Sequence, residues 1–450
     1  MSCLGSPHIA IDLGSTSIKG ALLDLRANQV ARLTSRPFPS AIDNVPGRVE
    51  MKLTDVVEKV REILDELIAF TDDACHIWVC GQMGGLVLCN PDGEALSNYI
   101  SWRDQRSLEF SSRGDPSSIG NYLQAIRAAW PDDVWSSLGR ELQPGSTSTL
   151  LYWLNQQNLL PVDVIPCSIG DYVVAHLARQ RPVMHATYAI GLLDLQRVQW
   201  HHEALERIGL QKIQWPELIT DLRVVAECEY RSRKLAFHGS FGDHQAALWG
   251  AGLTPQELSL NISTGSQVSL STTDFVPGPY QSRLFFENTW LNTVTHLPAG
   301  RALNVLFGLL TELSEAEGLE LRSPWETIAA KMGQVRGTDL RANVNFFSSP
   351  LGSTGSLENI TTDNFQIGHL FVAACQAMAD NYRVVANRLS PANDFSALVL
   401  SGGLTQSLPR LLEFIQERFP VPLRQSSGEE TLLGLLKLAR HYSAPSSPLP

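Results

Sequence analysis

Asp12, Gly14, Ser15, Thr16 and Lys19 have the types and spacing to hold a phosphate group. Asp12 can bind Mg²⁺ directly or through water. Gly14 lets backbone N–H groups close on an anion, and Ser15 and Thr16 add hydroxyls beside it. Lys19 adds positive charge. No Gly-Lys-Ser/Thr opens a helix here, so the pattern is not a Walker loop. An ordinary hairpin with a polar turn would carry the same residues. Far along the chain, Gly242-Asp243-His244-Gln245 offers a carboxylate that could take the proton of a substrate hydroxyl as that oxygen attacks a γ-phosphate. A plain helix cap is the simpler role for an Asp in this position.

The elements around these residues follow from hydrophobic pattern. Ile9–Ile11 and Ala21–Leu25 read as strands flanking the Asp12 turn, and Trp78–Cys80 reads as a third strand. Gly81-Gln82-Met83-Gly84-Gly85 follows that strand, where α/β folds place ligand contacts. Thr54–Ala69 carries Val56, Val57, Val60, Ile63, Leu64 and Leu67 at helical spacing, with Thr54 as the expected N-cap. From about Gly120 to Gly239 the pattern is mostly helical and irregular. Ser240–Gly250 reads as a turn feeding a helix. A second cycle then opens: strand Leu258–Ile262, turn Ser263-Thr264-Gly265-Ser266, strand Gln267–Ser271. Thr264, Gly265 and Ser266 form a second phosphate-loop candidate, with a plain hairpin turn as the alternative. Leu398–Leu400 is a strand ending in Ser401-Gly402-Gly403, where two glycines suit either a flat ligand against the backbone or a simple turn. Helices Leu408–Arg418 and Thr431–His441 complete the chain, and the Ser/Pro-rich 443–450 reads as a disordered tail. Trp102, Asp104 and Arg106 in Ser101–Arg106 suit a polyol, ring face on indole and hydroxyls on ions, or equally a surface turn with local ion pairs.

Composition narrows the classes. The chain has 450 residues with 44% hydrophobic and 18% charged, enough for two packed domains. A formal net charge of −11 argues against nucleic acid or an anionic membrane as the main partner. The seven cysteines (Cys3, Cys75, Cys80, Cys89, Cys167, Cys228 and Cys375) are scattered without a CxxC pair, which suggests reduced thiols in a cytoplasmic protein. No signal peptide and no membrane-spanning run is evident.

The order of these pieces resembles the FGGY carbohydrate kinases along nearly the whole chain. The resemblance rests on Asp12–Lys19, Gly81-Gln82-Met83, Trp102–Arg106, Gly242-Asp243, Ser263–Ser266 and Gly402-Gly403. Within the family, Gly170-Asp171-Tyr172-Val173-Val174, Arg181-Pro182-Val183-Met184, Leu260–Thr264 and Arg418-Phe419-Pro420-Val421-Pro422 are most similar to the sedoheptulokinase subgroup. The fold implied is a two-domain α/β ATPase of the actin, hexokinase and Hsp70 type, with duplicated RNase H-like domains around a cleft. The expected division is 1–247, with the sugar site, first phosphate loop and base, and 248–442, with the nucleotide site.

The resemblance implies these roles. Asp12 organises Mg²⁺. Ser15, Thr16 and Lys19 contact the β- and γ-phosphates of ATP, and Thr264, Gly265 and Ser266 form the second phosphate loop. Gly402, Gly403 and Thr405 border the adenosine. Gln82, Met83, Trp102, Asp104, Arg106 and Gln245 line the sugar pocket, and Asp243 is the catalytic base. The implied reaction is phosphorylation of the terminal hydroxyl of a ketose, with sedoheptulose first and xylulose, ribulose or another polyol as alternatives. A non-catalytic sugar or nucleotide sensor is a further alternative, and a monomer or homodimer is expected. The family usually reads Gly-Gln-Met-His-Gly, and Gly84 stands where the His would be. That absence is expected to open space in the sugar pocket. Gly434 lies in the last helix where small Ala residues are commoner, so helix packing there is expected to differ.

Overall fold

The computed structural model describes residues 6–42, 45–71, 74–109, 120–426 and 428–444. Its first half is built on a six-stranded sheet of β1 (His8–Leu13), β2 (Ser17–Asp24), β3 (Gln29–Pro37), β4 (Cys75–Gly81), β5 (Ala226–Tyr230) and β6 (Arg233–Gly242), in the order β5-β6-β4-β1-β2-β3. β1 pairs antiparallel with β2 and parallel with β4, and β4 pairs parallel with β6. β1 is buried along its whole length, as a strand covered on both faces must be. Helix α1 (Leu53–Ile68) lays Val56, Val60, Ile63, Leu64 and Leu67 into the same core as β1 and β4.

The second half repeats the plan. Strands β7 (Glu257–Ile262), β8 (Ser266–Thr272), β9 (Gln281–Leu284), β10 (Trp290–Leu297), β11 (Ala397–Ser401) and β12 (Leu423–Gln425) form a sheet in the order β9-β10-β8-β7-β11-β12. Its opening hairpin β7–β8 is antiparallel and its next neighbour β11 is parallel, matching β1–β2 and β4. Helix α2 (Asp243–Gly250) links the halves. Helices α3 (Gly300–Ala316), α4 (Pro324–Gln334), α5 (Ile367–Leu389) and α6 (Pro409–Arg418) share a core with the second sheet. This is the duplicated ATPase fold expected from the two matching hairpins.

The last helix, α7 (Glu430–Ser443), does not stay within the second half. Leu432, Leu435 and Leu436 pack in one cluster with Ala10 of β1, Trp78 of β4, Phe241 of β6, Leu248 of α2 and Val399 of β11. That cluster is the seam between the halves. α7 reaches it by crossing α2 at backbone contact. A Cβ on Gly434 would lie 2.0 Å from the Ala246 carbonyl oxygen, and one on Gly250 would lie 2.0 Å from that of Glu430. Gly434 is therefore required by the close crossing of α7 and α2 in this chain.

Three expectations need correction. Lys52, not Thr54, occupies the N-cap of α1, and Thr54 instead donates its hydroxyl to Asp55 Oδ1 at 3.1 Å. The region from Gly120 does form a helical cluster around Trp130, Leu150 and Leu205. However, its end contains β5 and β6, and Ser240 lies inside β6 rather than in a turn. β6 was hard to read because Leu235 through Gly242 are all buried, polar His238 and Ser240 included, so no alternation marks it, and its register shifts between Phe237 and Ser240. Finally, α7 runs through Ser443, and 445–450 lie outside the described residues. Among the described residues no helix is long and apolar enough to cross a membrane, and Cys80, Cys89, Cys167, Cys228 and Cys375 are free thiols.

Gly434→Ala should destabilise the protein by about 1–3 kcal/mol, because two helix backbones must separate. Gly308→Ala in α3, where an added Cβ meets nothing within 4 Å, should stabilise by about 0.5–1 kcal/mol. Denaturant unfolding of both variants checks this, and equal midpoints would sink it.

Candidate active site

The site is set by strand register. Leu13, Gly81 and Gly242 are cross-strand partners at the C-terminal ends of the parallel strands β1, β4 and β6. The chain leaves these ends as Gly14, Gln82 and Asp243, so three loops converge on one edge of the sheet. Asp12 pairs across to Cys80, and Cys80 Sγ lies 3.7 Å from Asp12 Oδ1. The other Asp12 oxygen, Oδ2, accepts the Thr431 hydroxyl at 2.7 Å from the first turn of α7. Burial pushes the Asp12 carboxyl up, and the Thr431 hydrogen bond and Lys19 charge oppose that rise.

Asp243 is the first residue of α2, with Gly242 in the capping position. The cap role is thus taken by another residue. Asp243 Oδ1 accepts the His244 backbone N–H at 2.7 Å. Burial, and then the nearby negative charge of Asp12, push its carboxyl up to about 7. Such a value suits a proton acceptor working near neutrality.

His244 is held by a chain of bonds that crosses the seam. Arg283 Nη1 donates to His244 Nδ1 at 2.9 Å. That leaves the proton on Nε2, which lies 3.5 Å from Ser269 Oγ, and Ser269 in turn meets Thr293 Oγ1 at 2.8 Å. Burial and the Arg283 charge hold the imidazole well below its ordinary value, so it is neutral. Arg283, from β9 of the second half, forms a buried ion pair with Glu141 of the first half, and Gln281 Nε2 donates to the same carboxylate at 2.8 Å.

The sugar-side candidates separate into two groups. Gln82 and Gln245 are buried, and the Oε1 of each has no hydrogen-bond partner among the described residues. Gln245 Nε2 is engaged by the Thr187 and Leu284 carbonyls at 3.2 and 3.4 Å. Met83 packs on Gly242, and Trp102, 40% exposed, packs on Gly84. Asp104 is a correction, and Arg106 is its partner. Asp104 is fully buried and accepts from Val49 N and from Arg106 N, Nε and Nη2, at 2.8–2.9 Å. These four bonds fill its lone pairs, and Arg106 also pairs with Glu50 at 2.6 Å. The pair braces the loop that carries Trp102, and Asp104 has no capacity left for a sugar hydroxyl, whereas the hydrogen bonds of Arg106 among the described residues use its Nε and Nη2 and not its Nη1. Gly84 does not open a void either. Its φ is +74°, and a Cβ there would sit 3.2 Å from the Gly145 carbonyl oxygen and 3.3 Å from Trp102 Cβ. The Gly145 backbone and Trp102 stand close to where a side chain at this position would begin.

On the phosphate side, Ser15 and Thr16 sit in the turn after β1, with Thr16 exposed. Lys19 Nζ is paired with Glu429, the residue before α7. Thr264 and Gly403 line a cavity of about 680 Å³ in the second half, with Gly265 exposed at its turn. Gly402, at φ +88°, presses on the Ile262 carbonyl and positions the turn rather than lining the cavity. Ser266 and Thr405 are corrections. The Ser266 hydroxyl is buried and donates to the Leu297 and Pro298 carbonyls at 3.3 and 3.2 Å. The Thr405 hydroxyl donates back to the Gly402 carbonyl at 3.4 Å, and Thr405 does not line the cavity.

The sequence reading missed Leu303, Asn304, Trp325 and Glu326, which wall the cavity. It also missed Glu141, Arg283, Glu429 and Thr431. The acid at Glu429 just before a helix was a readable signal for Lys19. Nothing local marked Glu141 and Arg283 as partners.

Comparison with known proteins agrees with this geometry. Residues 8–250 match the model for the N-terminal domain of the FGGY family of carbohydrate kinases. A sedoheptulokinase of Mus musculus is 23% identical, covering 97% of this chain and 98% of that protein. The crystal structure of a gluconate kinase from Lactobacillus acidophilus superposes with a TM-score of 0.81 at 18% identity, over 97% of this chain and 89% of that one. That of Plasmodium falciparum glycerol kinase with ADP gives 0.80 at 15% identity, over 96% and 88%.

Removing one member of the buried pair, as in Arg283→Met, should destabilise the protein by about 3–5 kcal/mol, because Glu141 is left buried and unpaired. The double variant Glu141→Leu with Arg283→Met should recover most of that loss. Thermal unfolding of the single and double variants decides it; additive losses would mean that the two side chains act separately.

Proposed function

The chain belongs to the FGGY family of carbohydrate kinases, and from that premise we propose that it transfers the γ-phosphate of ATP to the terminal hydroxyl of a ketose, with sedoheptulose the first choice. The observation that carries the reading is the shared register of Leu13, Gly81 and Gly242. It sets Asp12, Gln82 and Asp243, which this reading takes as metal ligand, sugar contact and base, side by side at one sheet edge. The relative matched over nearly the whole chain, a sedoheptulokinase, supports the choice of sugar.

In this reading the ketose lies against Met83 and Trp102, and its hydroxyls supply the donors that Gln82 Oε1 and Gln245 Oε1 lack. Asp243 accepts the proton of the terminal hydroxyl as that oxygen attacks in line. The neutral His244, fixed by Arg283, holds the first turn of α2 and so the direction of the carboxylate. The nucleotide base lies in the cavity walled by Trp325 and Leu303, with its phosphates reaching toward Thr264 and Ser15. The hard oxygens of Asp12 fit Mg²⁺, and a buried carboxylate raised by desolvation gains from a cation beside it. When bound, Mg²⁺ supplies charge neutralisation at the phosphates. Lys19 exchanges Glu429 for phosphate when the nucleotide enters. Closing the halves excludes water from the transfer.

ADP release with MgATP and a panel of sedoheptulose, xylulose, ribulose, fructose and glycerol tests the substrate. Turnover with sedoheptulose well above the others is expected; preference for another sugar overturns the sugar but keeps the reaction, and none with any sugar overturns the kinase reading. Asp243→Asn should lower kcat by about 100-fold or more, with ATP binding kept by calorimetry. A near-normal kcat would remove Asp243 from the role of base. A base is active when ionised, so kcat/KM of the wild type should fall as pH drops through about 7. A profile flat between pH 5.5 and 8.5, roughly the range that brackets a base of this kind, would contradict the assignment.

A further inference from the structure

A second cavity, of about 730 Å³, lies between the halves and shares Gln281 and Thr293 with the network around Glu141 and His244. None of Asp12, Gln82, Asp243, Thr264 or Gly403 lines it. Its walls come from both halves: Trp135, Arg140 and Gln143 from the first, and Tyr280, Ser348 and Arg388 from the second. The size falls within the range of small-ligand pockets.

The charge in this cavity is unbalanced. Neither Arg140 nor Arg388 has an ion-pair partner among the described residues, although the chain carries 46 acidic residues against 35 Lys and Arg. Arg140 Nε is buried without any hydrogen-bond partner among them. A buried guanidinium donor of this kind is normally satisfied. Two lining residues, Arg140 at φ 53° and His296 at φ 62°, hold left-handed backbone conformations without being glycine. Trp135 and Tyr280 add aromatic groups to the lining, and Gln143 and Ser348 add neutral hydrogen-bonding groups.

We propose that this cavity binds a sugar phosphate monoester, with its phosphate held between Arg140 and Arg388 and its carbon skeleton against Tyr280 and Trp135. Two guanidinium forks suit a dianionic tetrahedral group, and their planar donors can each take two of its oxygens. The aromatic faces and the Gln143 and Ser348 groups suit the mixed apolar and hydroxylated surface of a sugar. Because Arg140 and Arg388 belong to different halves, the occupant bridges them and favours one relative orientation of the halves over others. The site is thus a second contact for sugar phosphate, separate from phosphoryl transfer.

Calorimetry on the full chain tests this, with the nucleotide site filled by Mg²⁺ and the triphosphate analogue AMP-PNP. Glucose 6-phosphate is the probe and glucose the uncharged control. The wild type should bind the ester with a Kd of about 1 mM or tighter and show no heat with glucose. The double variant Arg140→Gln with Arg388→Gln should weaken binding by about tenfold or more. The paired Lys variant, Arg140→Lys with Arg388→Lys, keeps the charge and should retain most of the affinity; thermal melting of both variants identifies any loss due to misfolding. No binding to the wild type, or equal affinity in a folded Gln variant, would overturn the proposal.

Discussion

The parallel register of β1, β4 and β6 is the constraint on which the rest depends. Each strand alone is an ordinary buried run. Aligned so that Leu13, Gly81 and Gly242 face one another, they release three loops at the same edge. A slip of one residue between β4 and β6 would turn Gln82 and Asp243 to opposite faces. The apolar side chains of β1 and β4 exclude such a slip, because they are buried on both faces and any shift would misplace Ile11, Trp78 and Val79. The chemistry is therefore positioned by packing, and the polar residues ride on it.

The second constraint is the return of α7 to the first half. Its cluster with Ala10, Trp78 and Phe241 joins the two sheets through one core. The same helix delivers Thr431 to Asp12 and places Glu429 beside Lys19. The crossing at Gly250 and Gly434 sets the depth to which α7 enters. Helix packing and phosphate-loop electrostatics are thus one problem: a side chain at either glycine would lift the helix and with it the groups around Asp12. A boundary drawn at residue 248 separates elements that share this core.

Much of the fold was legible because its signals are local. Each sheet opens with an apolar strand, a polar turn and a returning strand, and that repeat gave both halves. Asp12, Asp243, Thr264 and Gly403 stood out because carboxylates and small residues just past apolar strands occupy ligand-facing edges. The failures share a cause. Asp104 looked like a sugar contact, but Arg106 and the backbone N–H of Val49, distant in sequence, fill its lone pairs. Ser266 looked like a phosphate donor, but the carbonyls of Leu297 and Pro298 take its hydroxyl. Residue type announces what a side chain can do, and tertiary neighbours decide whether it is still free to do it.

The same argument applies to the seam. Glu141, Arg283 and His244 come from three separate stretches and carry no common motif, yet they form a buried line from the first half, through the second, to the residue after Asp243. A buried ion pair of this kind costs much in desolvation and tolerates little misalignment. It is therefore well made only when the halves sit at one separation. The direction of the Arg283 donor, and with it the setting of His244, follows from that separation. Asp243 at the head of α2 is then oriented by the separation of the halves rather than by its own loop alone. In the proposed reaction, this ties the direction of the Asp243 carboxylate to the closure that would exclude water.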